Sequence, residues 1–219
     1  MCYSAAASFV SGGVLTSLGG YALTKTTRTQ EKALASIPFI FGSQQFIEGF
    51  IWRGSMTSLT GPTILTYTYL FFALILWPSF MPIAIGLVEP NPDRKKWISS
   101  LSIPAGISSF FYIHVLWKYP VLSQIHEDHI QYLFTIHPPA LISVFYCMGT
   151  VLPCLLSSQR WLVGFGVVLS LGLIVSHFIY SDVMVSIFCF FSALLSGILC
   201  LYFLSLNTRK REYETLYID

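Results

Sequence analysis

Apolar residues run along this chain in seven long blocks, at about 3–24, 33–53, 62–87, 97–118, 138–157, 161–180 and 183–206, separated by short charged or turn-forming stretches. Each block approaches the roughly 20 residues needed to cross a hydrocarbon core of about 30 Å. The runs are continuous and lack the two-residue alternation of a barrel strand, so each predicts an α-helix. The connections are short and no low-complexity linker interrupts them. The expectation is an all-α, integral membrane bundle of about seven transmembrane helices over residues 1–206, followed by a short cytoplasmic tail over 207–219.

Positive charge orients the bundle. With the N-terminus outside, one side receives Lys25, Arg28, Lys32, Arg94, Lys95, Lys96, Arg160, Arg209, Lys210 and Arg211, and the other only Arg53 and Lys118. Cytoplasmic loops collect Lys and Arg, so the C-terminus is expected in the cytoplasm. The first apolar stretch has no charged segment before it and reads as the first span rather than a cleaved signal.

Composition supports lipid as the solvent: 54% of residues are hydrophobic and only 10% charged, against about 25% charged in soluble domains. A net charge of +2 and the lack of a basic patch interleaved with aromatics argue against a nucleic-acid partner. Of the cysteines Cys2, Cys147, Cys154, Cys189 and Cys200, the last four lie inside apolar blocks, where cysteine acts as a small hydrophobe. Glycine and serine stripes mark expected helix contacts: Gly12 with Gly19, then Ser102, Gly106 and Ser109, then Gly172 with Ser176. Pro78, Pro82, Pro104 and Pro153 are expected to kink their helices.

Charge deep inside a span is costly and marks function by default. Glu48 is such a residue, and Gln45, Glu48 and Trp52 share one helical face with Gln44 at its edge. From the rise of about 1.5 Å per residue, Glu48, His114 and His177 fall roughly 5–7 Å from the outer ends of the second, fourth and sixth spans, with Tyr67 in the same layer. The expectation is an outward-facing polar pocket with Glu48 at its floor, turned toward the fourth and sixth spans. Gln44 and Gln45 would orient it, with Trp52 and Tyr67 in the lining and His114 and His177 as titratable neighbours. In the alternative, each group is satisfied separately, Glu48 by a neighbouring helix and the histidines at the membrane interface.

The longest connection, Tyr119 to Ile136, carries His126-Glu127-Asp128-His129 and spaces Leu122, Ile125, Ile130 and Leu133 as a helix would. It is expected to lie as an amphipathic helix on the outer membrane surface. His126 and His129, like His114 and His177, are candidate metal ligands, although such loops are more often simply solvated. No lysine sits inside the last span to carry a retinal Schiff base, and GxSxG, P-loop and HExxH motifs are absent.

The opening Met1-Cys2-Tyr3-Ser4-Ala5 with Ala7-Ser8-Phe9, together with Gln44-Gln45-Phe46-Ile47-Glu48-Gly49 and Trp52, resembles a family of small bacterial membrane proteins of undefined function that begin Met-Cys-aromatic-Ser-Ala. The resemblance implies a multi-span bacterial protein and brings no established activity. It also implies that the Cys2 and Glu48 segments go together, as when the N-terminus packs over the outer end of the second span. The layout is more loosely similar to seven-helix, zinc-dependent amide and ether-lipid hydrolases. It departs from them because the last helix has no histidine pair and the inner half no histidine.

The leading expectation is therefore a bacterial inner-membrane protein in the lipid bilayer that binds a small ligand, ion or proton from outside, as a transporter, sensor or complex subunit. Two alternatives stand beside it: a membrane-embedded metal-dependent lipid hydrolase using His114, His177 and a loop histidine with Glu48 as base, and a purely structural subunit. Cofactor and oligomeric state are left open by the sequence.

Overall fold

The computed structural model describes residues 4–57, 63–126, 129–179 and 181–197, and they are mostly helical. Cys2, the His126–His129 connection at residues 127 and 128, and the expected tail lie wholly or partly outside the described residues. Helix α1 is Ala5–Lys25, α2 Thr29–Ala35, α3 Ile37–Thr57, α4 Thr63–Leu70, α5 Trp77–Val88, α6 Pro92–Ser100 and α7 Ser102–Lys118. Strands β1 (Val121–His126) and β2 (His129–Phe134) precede α8 (Ala140–Thr150), α9 (Leu152–Leu156) and α10 (Arg160–Ile179). A turn of 3-10 helix at Ser181–Val183 leads into a last apolar helix, α11, described over Met184–Gly197.

Among the described residues, four helical stretches are long and apolar enough to cross a membrane: Ala5–Lys25, Thr63–Val88, Pro92–Lys118 and Arg160–Ile179. Ala140–Thr150 and Met184–Gly197 are shorter apolar helices. Helix α3 has the length, but Gln44, Gln45, Glu48 and Arg53 interrupt its apolar run. Lipid-type surfaces are turned outward: Phe110, Trp117 and Phe178 are 73%, 92% and 80% exposed.

Helices α1 and α3 touch backbone to backbone. A Cβ on Gly19 would lie 2.3 Å from the Phe39 nitrogen, one on Gly42 2.6 Å from the Thr16 nitrogen, and one on Gly12 3.1 Å from the Gly42 carbonyl oxygen. Gly49 receives the Phe9 ring in the same way. The expected Gly12 and Gly19 contact is present, and its counterpart is a second pair, Gly42 and Gly49, with the same seven-residue spacing. The other glycine stripes are not contacts, because a Cβ on Gly106 or Gly172 would meet nothing within 4 Å. In those stripes only the serines face inward, Ser109 and Ser176 both being buried.

The prolines act more locally than a simple kink. Between α4 and α5, residues Phe71–Leu76 widen into a π-helical turn just before Pro78, with the Trp77 N–H reaching the Phe72 carbonyl. Pro78 has no N–H to return to the carbonyls behind it. Neighbouring helices supply the donors: Tyr146 Oη–H bonds the Ala73 carbonyl at 2.9 Å and Ser109 Oγ–H the Ile75 carbonyl at 3.1 Å. Pro82 likewise leaves the Pro78 carbonyl without its helical donor, and Gly149 of α8 lies against it, a Cβ there falling 2.7 Å from that oxygen. Pro38 and Pro153 each sit at the second position of a new helix, just after breaks at Ser36 and Val151. Pro104 falls in the first turn of α7, after a break at Leu101.

The Tyr119 to Ile136 segment is not the amphipathic helix its spacing suggests. It is an antiparallel hairpin, in register from Val121 opposite Phe134 to His126 opposite His129. The same sequence also satisfies a two-residue period: Val121, Ser123, Ile130 and Tyr132 face the bundle while Leu122 and Leu133, opposite each other, face out. Pro120 at one end and Pro138-Pro139 at the other deny a helix its continuation. The hairpin is pinned to α4 by Thr66 and Ser123, whose hydroxyl oxygens lie 2.7 Å apart, by Tyr67 Oη accepting from the Val121 N–H at 3.2 Å, and by Tyr69 stacked on Tyr132.

The glycine contacts set a sharp contrast between neighbouring positions. Gly19→Ala or Gly42→Ala forces backbone apart and is expected to cost about 1–3 kcal/mol. Gly13→Ala and Gly20→Ala meet open space inside the same helix and are expected to cost nothing, or to stabilise by up to about 1 kcal/mol. Thermal unfolding of the purified variants in one detergent reads the difference.

Candidate functional site

Gln44, Gln45 and Glu48 are each 0% exposed, and Trp52 is 5% exposed. Four polar side chains on adjacent turns of one helix are thus enclosed by protein, held there because the glycine contacts fix the rotation of α3 against α1. Glu48 accepts from Gln45 Nε2 at 3.2 Å and from Ser186 Oγ of α11 at 2.6 Å. Gln45 Oε1 lies 3.2 Å from the Ser11 hydroxyl of α1, which also reaches the Ala7 carbonyl at 2.9 Å. The Glu48 carboxyl is thus bonded directly from α11 and, through Gln45, linked to α1.

Gln44 is held from another direction. The Trp77 indole N–H donates to Gln44 Oε1 at 2.8 Å while its ring stacks on Phe41 at 3.8 Å. An N–H can only donate, so this bond fixes which end of the amide is oxygen. Gln44 Nε2 then points away from Trp77 and toward the Cys189 thiol, and Trp52 Nε1 has no hydrogen-bond partner among the described residues. The Cys189 thiol of α11 stands within reach of Gln44 and Tyr69 and beside Glu48.

The expected layer of titratable groups is only partly assembled. Glu48, Gln44, Gln45 and Trp52 come together as read. Glu48 turns inward, where Ser186 of the last helix donates to it. His114 and His177 are exposed on the outside of the bundle, His177 against Phe178. Depth alone placed them in the layer, and depth says nothing about which way a helix is rotated. Tyr67 faces the hairpin instead of the pocket. His126 and His129 are cross-strand partners, the first exposed and the second buried. Among the described residues no three His, Cys, Asp or Glu side chains converge as metal ligands.

Ser11, Trp77, Ser186 and Cys189 belong to the site and were not legible as such. Serine and cysteine are common in spans, and nothing local to them signals a shared partner. A second polar cluster also went unread. Between α5 and α6, Glu89 is 4% exposed, and its carboxylate accepts from Ser157 Oγ at 2.8 Å, the Ser158 N–H at 2.9 Å, Ser158 Oγ and the Asn91 N–H at 3.1 Å. Arg94 donates to the Leu156 and Ser157 carbonyls at 3.1 Å each, and Gln159 Nε2 to the Val88 carbonyl at 2.7 Å. This knot ties the α5–α6 turn to the α9–α10 turn.

A mostly helical fold with four membrane-length apolar stretches and a carboxyl enclosed among neutral polar side chains defines a class, that of helical proteins with a buried polar site. Within it the chain belongs to a family of unknown function, DUF6629, whose model matches residues 1–214. No curated protein and no solved structure matches the chain.

Burial opposes ionisation of Glu89, but the donors from Ser158, Ser157 and Asn91 outweigh it and hold its pKa below the ordinary 4.5. A depressed carboxyl pKa stabilises the fold above the unfolded value, and that contribution is lost as pH falls through the folded value. Thermal stability is therefore expected to drop below pH 4.5. Glu89→Gln should remove this component of the pH profile, and Glu89→Ala should cost about 1–3 kcal/mol at neutral pH by orphaning its donors.

Proposed function

We propose that this protein is a seven-span bacterial inner-membrane protein, a single bundle over residues 1–206 with its N-terminus outside and residues 207–219 as a cytoplasmic tail. In this reading it binds a small ligand, ion or proton at a site centred on Glu48, beneath the hairpin, as a transporter, sensor or complex subunit. The observation that carries the reading is the complete burial of Gln44, Gln45 and Glu48 on one face of α3. A charged or amide side chain in that setting is expensive unless it is used.

The distribution of charge supports the orientation. Lys25, Arg28, Lys32, Arg94, Lys95, Lys96 and Arg160 all flank one set of helix ends, where the Glu89 knot lies, and the hairpin caps the other. The metal-hydrolase reading has less support, because His114 and His177 are exposed on the outside of the bundle while Glu48 is enclosed. Ligand binding needs only what the site holds: a carboxyl acceptor, two oriented amides and a buried donor, Trp52 Nε1, without a partner among the described residues.

Two experiments test this. On a background without native cysteines, a membrane-impermeant maleimide added to intact cells should label a cysteine replacing His126 and spare one replacing Lys95; the reverse pattern overturns the orientation. For the site, purified protein is screened for thermal stabilisation by sodium, ammonium and methylamine salts against matched controls. Stabilisation by one of these cations that Glu48→Gln abolishes supports the reading. A Glu48→Gln protein that folds and responds as the parent does to every one of them removes Glu48 from the site.

A further inference from the structure

Oxygen atoms from three helices meet around Glu48. Its carboxyl has Ser186 Oγ of α11 at 2.6 Å and the Gln45 amide of α3 at 3.2 Å. On the far side of that amide, Gln45 Oε1 lies 3.2 Å from Ser11 Oγ of α1. The Ser8 hydroxyl, 0% exposed on the face of α1 that carries Gly12, has no hydrogen-bond partner among the described residues. Helices α1 and α3 run antiparallel, with Gly19 against Phe39, Gly12 against Gly42 and the Phe9 ring against Gly49, so Ser8 stands level with Glu48.

The two glutamine amides differ in how they are held. Gln44 is fixed, because the Trp77 N–H can only donate to it. Gln45 has a hydroxyl on one side and a carboxyl on the other, and a hydroxyl can accept as well as donate. In this structure Nε2 donates to Glu48 Oε2 and Oε1 accepts from Ser11. Turned over, Nε2 donates to Ser11 Oγ, whose own proton goes to the Ala7 carbonyl at 2.9 Å, and Oε1 faces the carboxylate. Two oxygens so placed repel until a cation lies between them. The amide thus has one orientation for the ion-free carboxylate and another for the ion-bound one.

We infer that the Glu48 carboxylate, Gln45 Oε1, Ser186 Oγ and Ser8 Oγ hold a sodium-sized monovalent cation between α1, α3 and α11, with Ser11 positioning the turned amide. This deepens the reading of Glu48 as a ligand site and rests on it. The ligand set is all oxygen, as hard cations require. Glu48 is the one acid in the set and balances a single charge, whereas a divalent ion would leave a charge uncompensated in low dielectric. The occupant is small. A cavity of about 30 Å³, the space of about one water, lies where α3, α5, α8, α10 and α11 converge, but it is walled by Phe41, Trp77, Met81 and Phe165, and neither Gln44 nor Glu48 lines it. The ion therefore takes its place among the ligands themselves, by the turn of the Gln45 amide.

The test measures binding of radioactive sodium to the purified full-length protein in a scintillation-proximity assay, with choline holding ionic strength constant. Saturable binding is expected, displaced by unlabelled sodium and far less by potassium, ammonium or calcium. Ser186→Ala and Ser8→Ala should each weaken it about tenfold, equivalent to about 1.4 kcal/mol, and Gln45→Leu, close in shape but without the amide oxygen, at least as much. Glu89→Gln and Ser109→Ala alter polar side chains outside the cluster and should leave affinity unchanged, with the folding of every variant checked by circular dichroism and gel filtration. Absence of saturable sodium binding to the parent protein, preference for potassium or calcium, or equal losses in Glu89→Gln and Ser186→Ala overturns the inference. If sodium does not bind while Glu48→Gln still abolishes stabilisation by ammonium or methylamine, this inference fails and the ligand-site reading stands. If sodium binds and Glu48→Gln leaves its affinity unchanged, the ion lies elsewhere and the role given to Glu48 fails with the inference.

Discussion

The close approach of α1 to α3 is the constraint on which the interior depends. Glycine at 12 and 19 on one helix and at 42 and 49 on the other removes the side chains that would hold the backbones apart. In lipid, where burial of apolar surface drives nothing, such contact is what associates helices. The consequence reaches the chemistry directly. With Gly42 and Gly49 turned to α1, the face bearing Gln44, Glu48 and Trp52 is turned into the protein, and Gln45 comes within reach of Ser11. A polar face that would be intolerable against acyl chains is thereby given neighbours from α1, α5 and α11.

A second constraint follows from backbone rather than side chains. Pro78 and Pro82 leave carbonyls of the central helix without their usual donors, and a carbonyl unsatisfied in a low-dielectric interior is costly. Tyr146 reaches one such carbonyl from α8, and Ser109 bonds a nearby one from α7, while Gly149 lies against a third. The irregularity of the π-helical turn thus becomes a set of bonds between helices. It also sets Trp77 where its indole can both wall the cavity and orient Gln44.

The two ends of the bundle are closed by different means. At one end the Glu89 carboxylate gathers donors from two turns, and Arg94 adds two bonds to carbonyls of the α9–α10 turn. At the other the hairpin lies over α4, with Tyr69 stacked on Tyr132 and Thr66 bonded to Ser123. The Glu48 cluster lies between these closures, and the cavity adjoins it from the side of α5, α8 and α10. Polar groups at the ends tie neighbouring turns together, whereas those around Glu48 gather a carboxyl and two amides inside the protein.

Hydropathy by itself determined where helices run and that they are lipid-like. The first, third and sixth blocks correspond to Ala5–Lys25, Thr63–Val88 and Arg160–Ile179 within a few residues, because transfer of apolar side chains is a local, additive property. Helical periodicity also determined that Gln45, Glu48 and Trp52 share a face, and the cost of an intramembrane carboxyl marked that face for the interior. Rotation and pairing were beyond its reach. His114 and His177 had the depth of Glu48 but face outward, since the azimuth of a helix is set by packing against its neighbours. The hairpin satisfied two periods at once, and only its contacts with α4 and the flanking prolines selected the strand. Ser11, Trp77, Ser186 and Cys189 come from distant parts of the chain. Their meeting around Gln44, Gln45 and Glu48 was decided by tertiary structure, because a hydrogen bond between helices depends on angles and separations that no single segment carries.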